Sequence, residues 1–290
     1  MKWISVFLLF HSIVICGADK PDYADSLFAK GHYFDAITEY KRYVFHNPGS
    51  EVLDSIFMQI GISYRHLGEY ENSERYLKTA LIETESPAMT SRIYIEKAIN
   101  SLILRETDSA SVRLQKALFD NDQDNINQIY FYFIVMHVLD SDYESAREYF
   151  THYALSVKMD QESEPWFRMQ KLFDSVEQMK QKNVRRAKWL STFLPGSGQI
   201  YCEAWFNGTI AFFLNTSLFI LTGSSLLNAK YLDAVVFGYF LRLFYTGNRI
   251  RTELICIDFN NDIQMHYQQK ILLELYSMVL TEEVKIKRIN

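Results

Sequence analysis

The chain has 290 residues, of which 48% are hydrophobic and 22% are charged, and this balance excludes a disordered protein. Its net charge of −5 argues against a general attraction to nucleic acid. With only 11 Gly and 5 Pro, the sequence has few turn residues, so we expect an all-α fold of long helices with short connections.

The first 18 residues have the pattern of a secretion signal. Lys2 provides a basic start, residues 3–15 form an apolar run, and Cys16, Gly17 and Ala18 are small residues suited to cleavage. The pattern predicts that the rest of the chain is exported. Two alternatives stay open, an uncleaved N-terminal anchor and lipid attachment at Cys16.

Residues 19–160 contain four units with the same pattern. A small residue recurs at intervals of 37, 37 and 36 residues, at Ala36, Ser73, Ala110 and Ala146. In each unit an apolar residue follows four positions later and another three positions after that, so the three positions share one face of a helix. Turn residues such as Gly68 and Glu69 come shortly before the small residue. Each unit is therefore predicted to be a helical hairpin.

The four units resemble the tetratricopeptide repeat, a helix–turn–helix of about 34 residues whose copies stack into a superhelix. The resemblance covers about residues 18–155. The second unit matches best, through Phe57, Gly61, Tyr64 and the turn at 68–70, and the other units are degenerate. Residues 161–187 are predicted to hold a capping helix, from about Glu164 to Lys182, and a basic linker.

The resemblance implies a concave groove lined by the first helix of each unit. The lining residues under this analogy are Met58, Ile62, Arg65, His66, Ile95, Ile99, Leu102, Ile103, Phe131, Val135, Val138 and Leu139. This groove would be largely apolar, so we expect it to take an apolar peptide or helix of a partner protein. The alternative is that these side chains pack the superhelix, or that the helix after Ser163 covers them.

Residues 188–260 are predicted to form a membrane module. Two apolar runs, 210–227 and 231–245, are separated by three residues and read as a transmembrane helical hairpin. Basic residues and aromatic side chains flank the runs, as is typical of membrane interfaces. The second run is short and contains Arg242, which we expect to snorkel. The alternative is a buried hairpin of a soluble domain.

A short motif precedes the hairpin: Pro195, Gly196, Ser197, Gly198, Gln199, Ile200 and Tyr201. It resembles the Pro-Gly-x-Gly-Gln-x-Tyr motif of small, uncharacterised bacterial membrane domains, which often follow tetratricopeptide repeats; residues 244–248 and 259–260 add to the likeness. This family implies a membrane location in the bacterial envelope and brings no established activity. The chain departs from this family at Glu203 and Ala204, because a Gly is common there after the Tyr of the motif. Pro195 and Gly196 are expected to end the preceding helix, and Gly198 to adopt a positive φ.

The remaining segments carry two further predictions. Residues 261–290 have apolar side chains at helical spacing and are predicted to form an amphipathic helix. Cys202 and Cys256 lie in the apolar C-terminal part, where they form either a disulfide or two separate buried thiols.

No catalytic constellation is visible in the sequence. It has no His-Glu-x-x-His pair, no Gly-x-Ser-x-Gly elbow and no Cys–His arrangement with metal-ligand spacing. We therefore expect no enzyme, no cofactor or metal, and no small-molecule or nucleic-acid ligand. The leading hypothesis is a protein-interaction scaffold, anchored in membrane lipid with its repeats on the periplasmic side. The alternative is an accessory factor for membrane protein insertion or transport that acts through the hairpin.

Overall fold

The computed structural model describes residues 22–119 and 125–289, with side chains described up to residue 279. The signal at 1–18 lies outside these residues. Every regular element in the described part of the chain is an α-helix, which confirms the all-α class. The chain divides into two compact units, Met1–Gln170 and Lys171–Asn290.

The first unit consists of paired helices. They are α1 (Asp22–Ala29), α2 (Tyr33–His46), α3 (Leu53–His66), α4 (Tyr70–Glu83), α5 (Pro87–Ile103), α6 (Thr107–Phe119), α7 (Ile126–Leu139) and α8 (Tyr143–Ser156). Each odd-numbered helix packs on the helix that follows it, and each even-numbered helix packs on the next odd-numbered one. In addition, α3 packs on α5 and α5 packs on α7. The first helices of the second, third and fourth pairs therefore form one continuous layer.

The four turns within the pairs share one backbone geometry. A residue with positive φ occupies the same place in each, at Gly31, Gly68, Arg105 and Ser141. The amide of the next residue donates to a carbonyl five residues back, for example from Glu69 N to Tyr64 O at 2.9 Å. This is the Schellman helix ending. Since only two of the four residues are glycine, the repeat is more regular in the backbone than in the sequence.

The recurring small residues lie where the helices of each pair cross. Ala36, Ser73, Ala110 and Ala146 are each the fourth residue of the second helix, and all four are fully buried. The apolar residues four positions later are also buried. In the second pair, a Cβ added at Gly61 would lie 2.8 Å from Leu77 Cγ, so α3 and α4 approach too closely there for a larger residue. The predicted buried face is confirmed.

Helix α9 (Glu164–Glu177) starts where the sequence predicts and ends five residues earlier than expected. Its apolar stripe is buried at Met169, Phe173 and Val176. The ring of Trp166 stacks on Phe150, with centroids 5.4 Å apart.

The second unit contains α10 (Val184–Phe193), α11 (Ser197–Tyr201), α12 (Trp205–Leu227) and α13 (Tyr231–Ile289). Helices α12 and α13 pack on each other as a hairpin, and α10 and α11 pack on α13. The sequence suggests separate helices for the run 231–245 and for the tail, but α13 runs through both over 59 residues. The segment contains no Pro, and its two Gly lie inside the helix, so nothing in it ends the helix.

Candidate functional site

The motif at 195–201 forms the junction of all four helices in the second unit. Pro195 follows the end of α10, and Gly196 turns the chain with a φ of 92°. A Cβ added at Gly196 would overlap the carbonyl oxygen of Gly208 in α12 and lie 2.9 Å from its carbonyl carbon. Only glycine fits here, because both the positive φ and the close approach of α12 exclude a side chain.

Gly198 has a different role from the one predicted. It lies within α11 and has no positive φ; that conformation belongs to Gly196 instead. A Cβ at Gly198 would overlap the carbonyl oxygen of Ala187 in α10 and lie 2.7 Å from Thr252 Cγ2 in α13. Gly198 is therefore the point at which α10, α11 and α13 meet.

A chain of buried hydrogen bonds joins the motif to α13. Gly198 N donates to Ser191 Oγ at 3.0 Å, and the Ser191 hydroxyl is hydrogen-bonded to the Thr252 hydroxyl at 2.9 Å. Gln199 Nε2 donates to Asn248 Oδ1 at 2.8 Å, and both side chains are buried. The motif and the segment 244–248 are thus direct partners. The sequence shows each of them but gives no sign that they touch.

A second set of contacts holds the segment that precedes α10. The Asn260 side chain bonds the backbone of Lys182 twice, accepting from its amide at 2.8 Å and donating to its carbonyl at 2.9 Å. Tyr201 Oη accepts from Asn183 N at 3.3 Å. Gln199, Tyr201, Asn248 and Asn260 of this likeness therefore each join two separate segments of the second unit.

The two cysteines lie in this junction as free thiols and not as a disulfide. Cys202 and Cys256 are buried in one apolar cluster with Ala187. Burial and the neighbouring Cys256 thiol raise the pKa of Cys202 to about 12, so this thiol is protonated at neutral pH.

Beyond the junction, the hairpin exposes an apolar surface. Among the described helices, Trp205–Leu227 is the one long and apolar enough to cross a membrane, and only 11% of its most apolar stretch is buried. A core helix of a soluble domain would be mostly buried. The facing part of α13 is similar, with exposed side chains at Leu232, Val235, Val236, Tyr239 and Leu243.

In the first unit, the predicted groove residues have little surface to offer. Met58, Ile62, Arg65, Ile95, Ile99, Leu102, Phe131, Val135, Val138 and Leu139 are buried, and His66 and Ile103 are partly buried. Met58 and Ile62 pack in one cluster with Leu77 of α4 and Ile93 of α5. In this structure these side chains therefore pack the unit and do not form an open groove.

The polar members of that set are held by specific partners. Arg65 is buried and pairs with Glu96 of α5, with Nη2 and Oε2 2.6 Å apart, and Arg65 Nη1 donates to the Glu96 carbonyl at 3.2 Å. His66 stacks on Tyr33 at a centroid distance of 4.1 Å. Burial and the charge of Arg65 lower the pKa of His66 to about 4, so its ring is neutral at pH 7.

The structure shows a second apolar feature on the repeats that the sequence reasoning missed. Phe45, Ile82, Phe119 and Leu155 are exposed by 80%, 73%, 90% and 60%. Each lies nine residues after the recurring small residue, near the end of the second helix of its pair. We call these four residues the outer row. The equal spacing of these four residues is visible in the sequence, but an apolar residue near a helix end is easily mistaken for a buried core residue.

Within the described ranges, no group of three His, Cys, Asp or Glu side chains could hold a metal ion. Comparison of the chain with protein-family models gives no match, and none of the curated proteins matches it.

Proposed function

We propose that the chain is a membrane-attached tetratricopeptide-repeat protein that binds a partner protein in the bacterial cell envelope. Support for the repeat architecture comes from the helix pairing, the four equivalent Schellman turns and the four buried small residues. No single one of these features is specific to the family, but their common period of 36–37 residues is what stacked copies of one helical hairpin require.

The outer row is the observation that carries partner binding. Single exposed apolar residues are normal on soluble proteins. It is unusual that four large apolar side chains are exposed at one and the same repeat position, one on each second helix. Such a row fits the apolar face of a partner helix or an extended apolar peptide. The proposal therefore assigns binding to the outer row and leaves the buried groove residues as packing.

The exposed hairpin supports attachment to a membrane. In water, the apolar side chains of α12 and the first part of α13 would be a large unprotected surface. In a bilayer they would face lipid, and both helices satisfy their own backbone hydrogen bonds, as spanning segments must. We propose that this hairpin embeds in the membrane and that the signal at 1–18 directs the repeats to the periplasmic side.

Photo-crosslinking in cells tests the binding face. Benzoylphenylalanine is placed at Phe45 or Ile82 of the full chain, with Phe34 as the control, because Phe34 is 72% exposed but lies at the other end of α2. The proposal predicts a discrete adduct from the row positions that Phe119→Glu abolishes. No adduct, or the same adduct from Phe34, would refute the outer row as the binding face.

Protease treatment of intact spheroplasts tests the location, using a tag after residue 290. Digestion of the repeats places them outside the cytoplasmic membrane. Full protection of both the repeats and the tag would contradict export.

The second candidate function is an accessory role in membrane protein insertion or transport through the hairpin. It is favoured by two polar residues, Asn215 and Arg242, that line one mainly apolar cavity beside α12. Quantitative proteomics of membranes separates the two functions. The accessory role predicts that Arg242→Gln depletes other membrane proteins while Phe45→Glu does not. The scaffold role predicts that Phe45→Glu abolishes partner recruitment while Arg242→Gln does not.

A further inference from the structure

Four residues of α13 face the junction along one stripe, because they are spaced by four residues, or about one helical turn. They are Asn248, Thr252, Cys256 and Asn260. The three polar members make the hydrogen bonds that join α13 to the motif, to α10 and to the segment before α10. The remaining member, Cys256, is fully buried and meets Cys202 instead. The stripe therefore contains one contact that oxidation can make covalent.

The two thiols are close together although they are 54 residues apart in the sequence. They lie in one buried cluster, and the Cys256 thiol is within hydrogen-bonding distance of the Cys202 thiol. Cys202 belongs to the turn between α11 and α12, whereas Cys256 lies within α13. A disulfide, whose sulfur atoms are about 2 Å apart, would need only a small approach of the two side chains. It would tie the turn before α12 covalently to α13.

Neighbouring groups cover these thiols in the folded junction. Cys256 Sγ donates to Lys182 O at 3.8 Å. The Lys182 ammonium lies over the rings of Tyr201 and Phe259, 5.3 Å and 5.4 Å from their centroids, and it pairs with Glu203 Oε1 at 3.2 Å. Because both thiols are almost fully buried, a protein oxidant or reductant cannot reach either sulfur atom. Thiol–disulfide exchange at this pair therefore requires an open junction.

Under the proposed topology, both thiols lie on the side of the membrane to which the repeats are exported. Helices α9, α10 and α11 have 14, 10 and 5 residues, too few to cross a bilayer. Cys202 comes three residues before α12. Cys256 comes 25 residues after the start of α13, about 38 Å along the helix, which exceeds a hydrocarbon core of about 30 Å. This places the pair in the envelope, a compartment where disulfides form and persist.

We propose that Cys202 and Cys256 form a disulfide in the exported chain. The oxidant is a thiol–disulfide oxidoreductase of the envelope in its disulfide form, and it acts before the junction closes. One cysteine, as the thiolate, attacks the disulfide of this carrier and forms a mixed disulfide, and one carrier sulfur leaves as a thiolate. The second cysteine then attacks the mixed disulfide and releases the other carrier sulfur. Two electrons and two protons pass from the pair to the carrier, which leaves as a dithiol.

Closure of the junction then protects the bond. The disulfide holds the turn before α12 against α13, beside the hydrogen bond between Gln199 and Asn248. The two free thiols of the structure are the reduced form of the same junction. This inference rests on the proposed function in one respect, since it requires export of the chain.

Thiol counting in cells tests the disulfide, in a Cys16→Ser background. Cells that make the full chain are quenched with acid, and the protein is unfolded in detergent and treated with a maleimide polymer that adds mass to each free thiol. We expect no addition before reduction and two additions after it. Cys202→Ala and Cys256→Ala are the matched controls, each with one addition before and after reduction. Protease accessibility of the repeats in spheroplasts of the same strain reports export.

Two additions before reduction in an exported chain would overturn the disulfide and leave the proposed location intact. A single-cysteine variant that stays unlabelled until reduction would show that its cysteine bonds to another molecule, which would also overturn the pair. Repeats that are protected from protease would overturn export and this inference together.

Thermal melting measures the effect of the bond on the second unit. Reductant should lower the unfolding midpoint of the natural chain by about 10 °C, because the reduced chain loses the constraint on a long loop. The double variant Cys202→Ala, Cys256→Ala should not respond to reductant. An equal response of the two chains would overturn the disulfide as a constraint on the junction.

Discussion

Replacing Gly198 with alanine is expected to destabilise the second unit strongly. The added Cβ would overlap a backbone carbonyl in α10 and lie 2.6 Å from Ser191 Oγ and 2.7 Å from Thr252 Cγ2. Real Cβ contacts are essentially never shorter than 3.0 Å, so at least two helices must shift. The shift would also strain the hydrogen bond from Gly198 N to Ser191 Oγ.

The magnitude follows from two opposing effects. Overpacking costs about 1–3 kcal/mol, and more where backbone must move, as it must here. Alanine gains about 1 kcal/mol over glycine in a helix. We expect a net loss of about 2–3 kcal/mol, which for a unit of this size lowers the unfolding midpoint by roughly 10 °C.

The control is Gly247→Ala in α13, because a Cβ added at Gly247 meets no atom within 4 Å. There only the gain in helix propensity applies, so the midpoint is expected to rise slightly. Both variants are heated in detergent with a thiol-reactive fluorogenic dye, in a Cys16→Ser background, so that buried Cys202 and Cys256 report unfolding. If Gly198→Ala melts at or above the midpoint of the natural chain, the close packing described for the junction is refuted.

Three further predictions concern the repeats. Arg65→Ala should cost about 3–5 kcal/mol, since it leaves the carboxylate of Glu96 unpaired in the interior, and a loss below about 1 kcal/mol in thermal melts would contradict the buried pair. Arg105→Gly should stabilise the chain by about 1 kcal/mol by relieving a left-handed residue, whereas Arg105→Ala should give no gain; equal midpoints for the two variants would remove the strain argument. Because burial lowers the pKa of His66 from 6.5 to about 4, its neutral ring contributes stability above pH 6.5 that is lost as the pH falls through 4. His66→Phe, which keeps an aromatic ring beside Tyr33, should flatten the decline in melting midpoint over that range, and an unchanged decline would exclude His66 as its source.

Local periodicity was sufficient to predict the helical pairs. The face that carries Ser73 and Leu77 is defined by spacing along one helix, and burial confirms it. The equivalence of the turns was only half visible, because Arg105 and Ser141 adopt the left-handed conformation that Gly31 and Gly68 adopt more easily. Tertiary packing offsets this local strain, so these turns keep the same backbone geometry without a glycine in the sequence.

Contacts between distant segments could not be predicted in the same way. Gln199 and Asn248 are 49 residues apart, and neither spacing nor composition indicates that their amides meet. The apolar residues assigned to a groove, such as Met58 and Ile62, are also what α3 needs for packing on α4 and α5. One helical pattern serves both purposes, and only the arrangement of neighbouring helices decides between them. Glu203 adopts the left-handed turn conformation although a Gly is common there, so the turn forms without it.

The depth of the hairpin in a bilayer tests the central claim most directly. A single cysteine at Phe219 of α12 carries an environment-sensitive fluorophore, with Phe34 of α2 as the control because the two side chains are 69% and 72% exposed. The natural cysteines are replaced with alanine, and the full chain is reconstituted in vesicles that contain lipids brominated along the acyl chain. The account predicts a blue-shifted, strongly quenched label at position 219 and an unquenched label at position 34. An unquenched label at position 219 would mean that the hairpin is not embedded, and membrane attachment as proposed would be wrong.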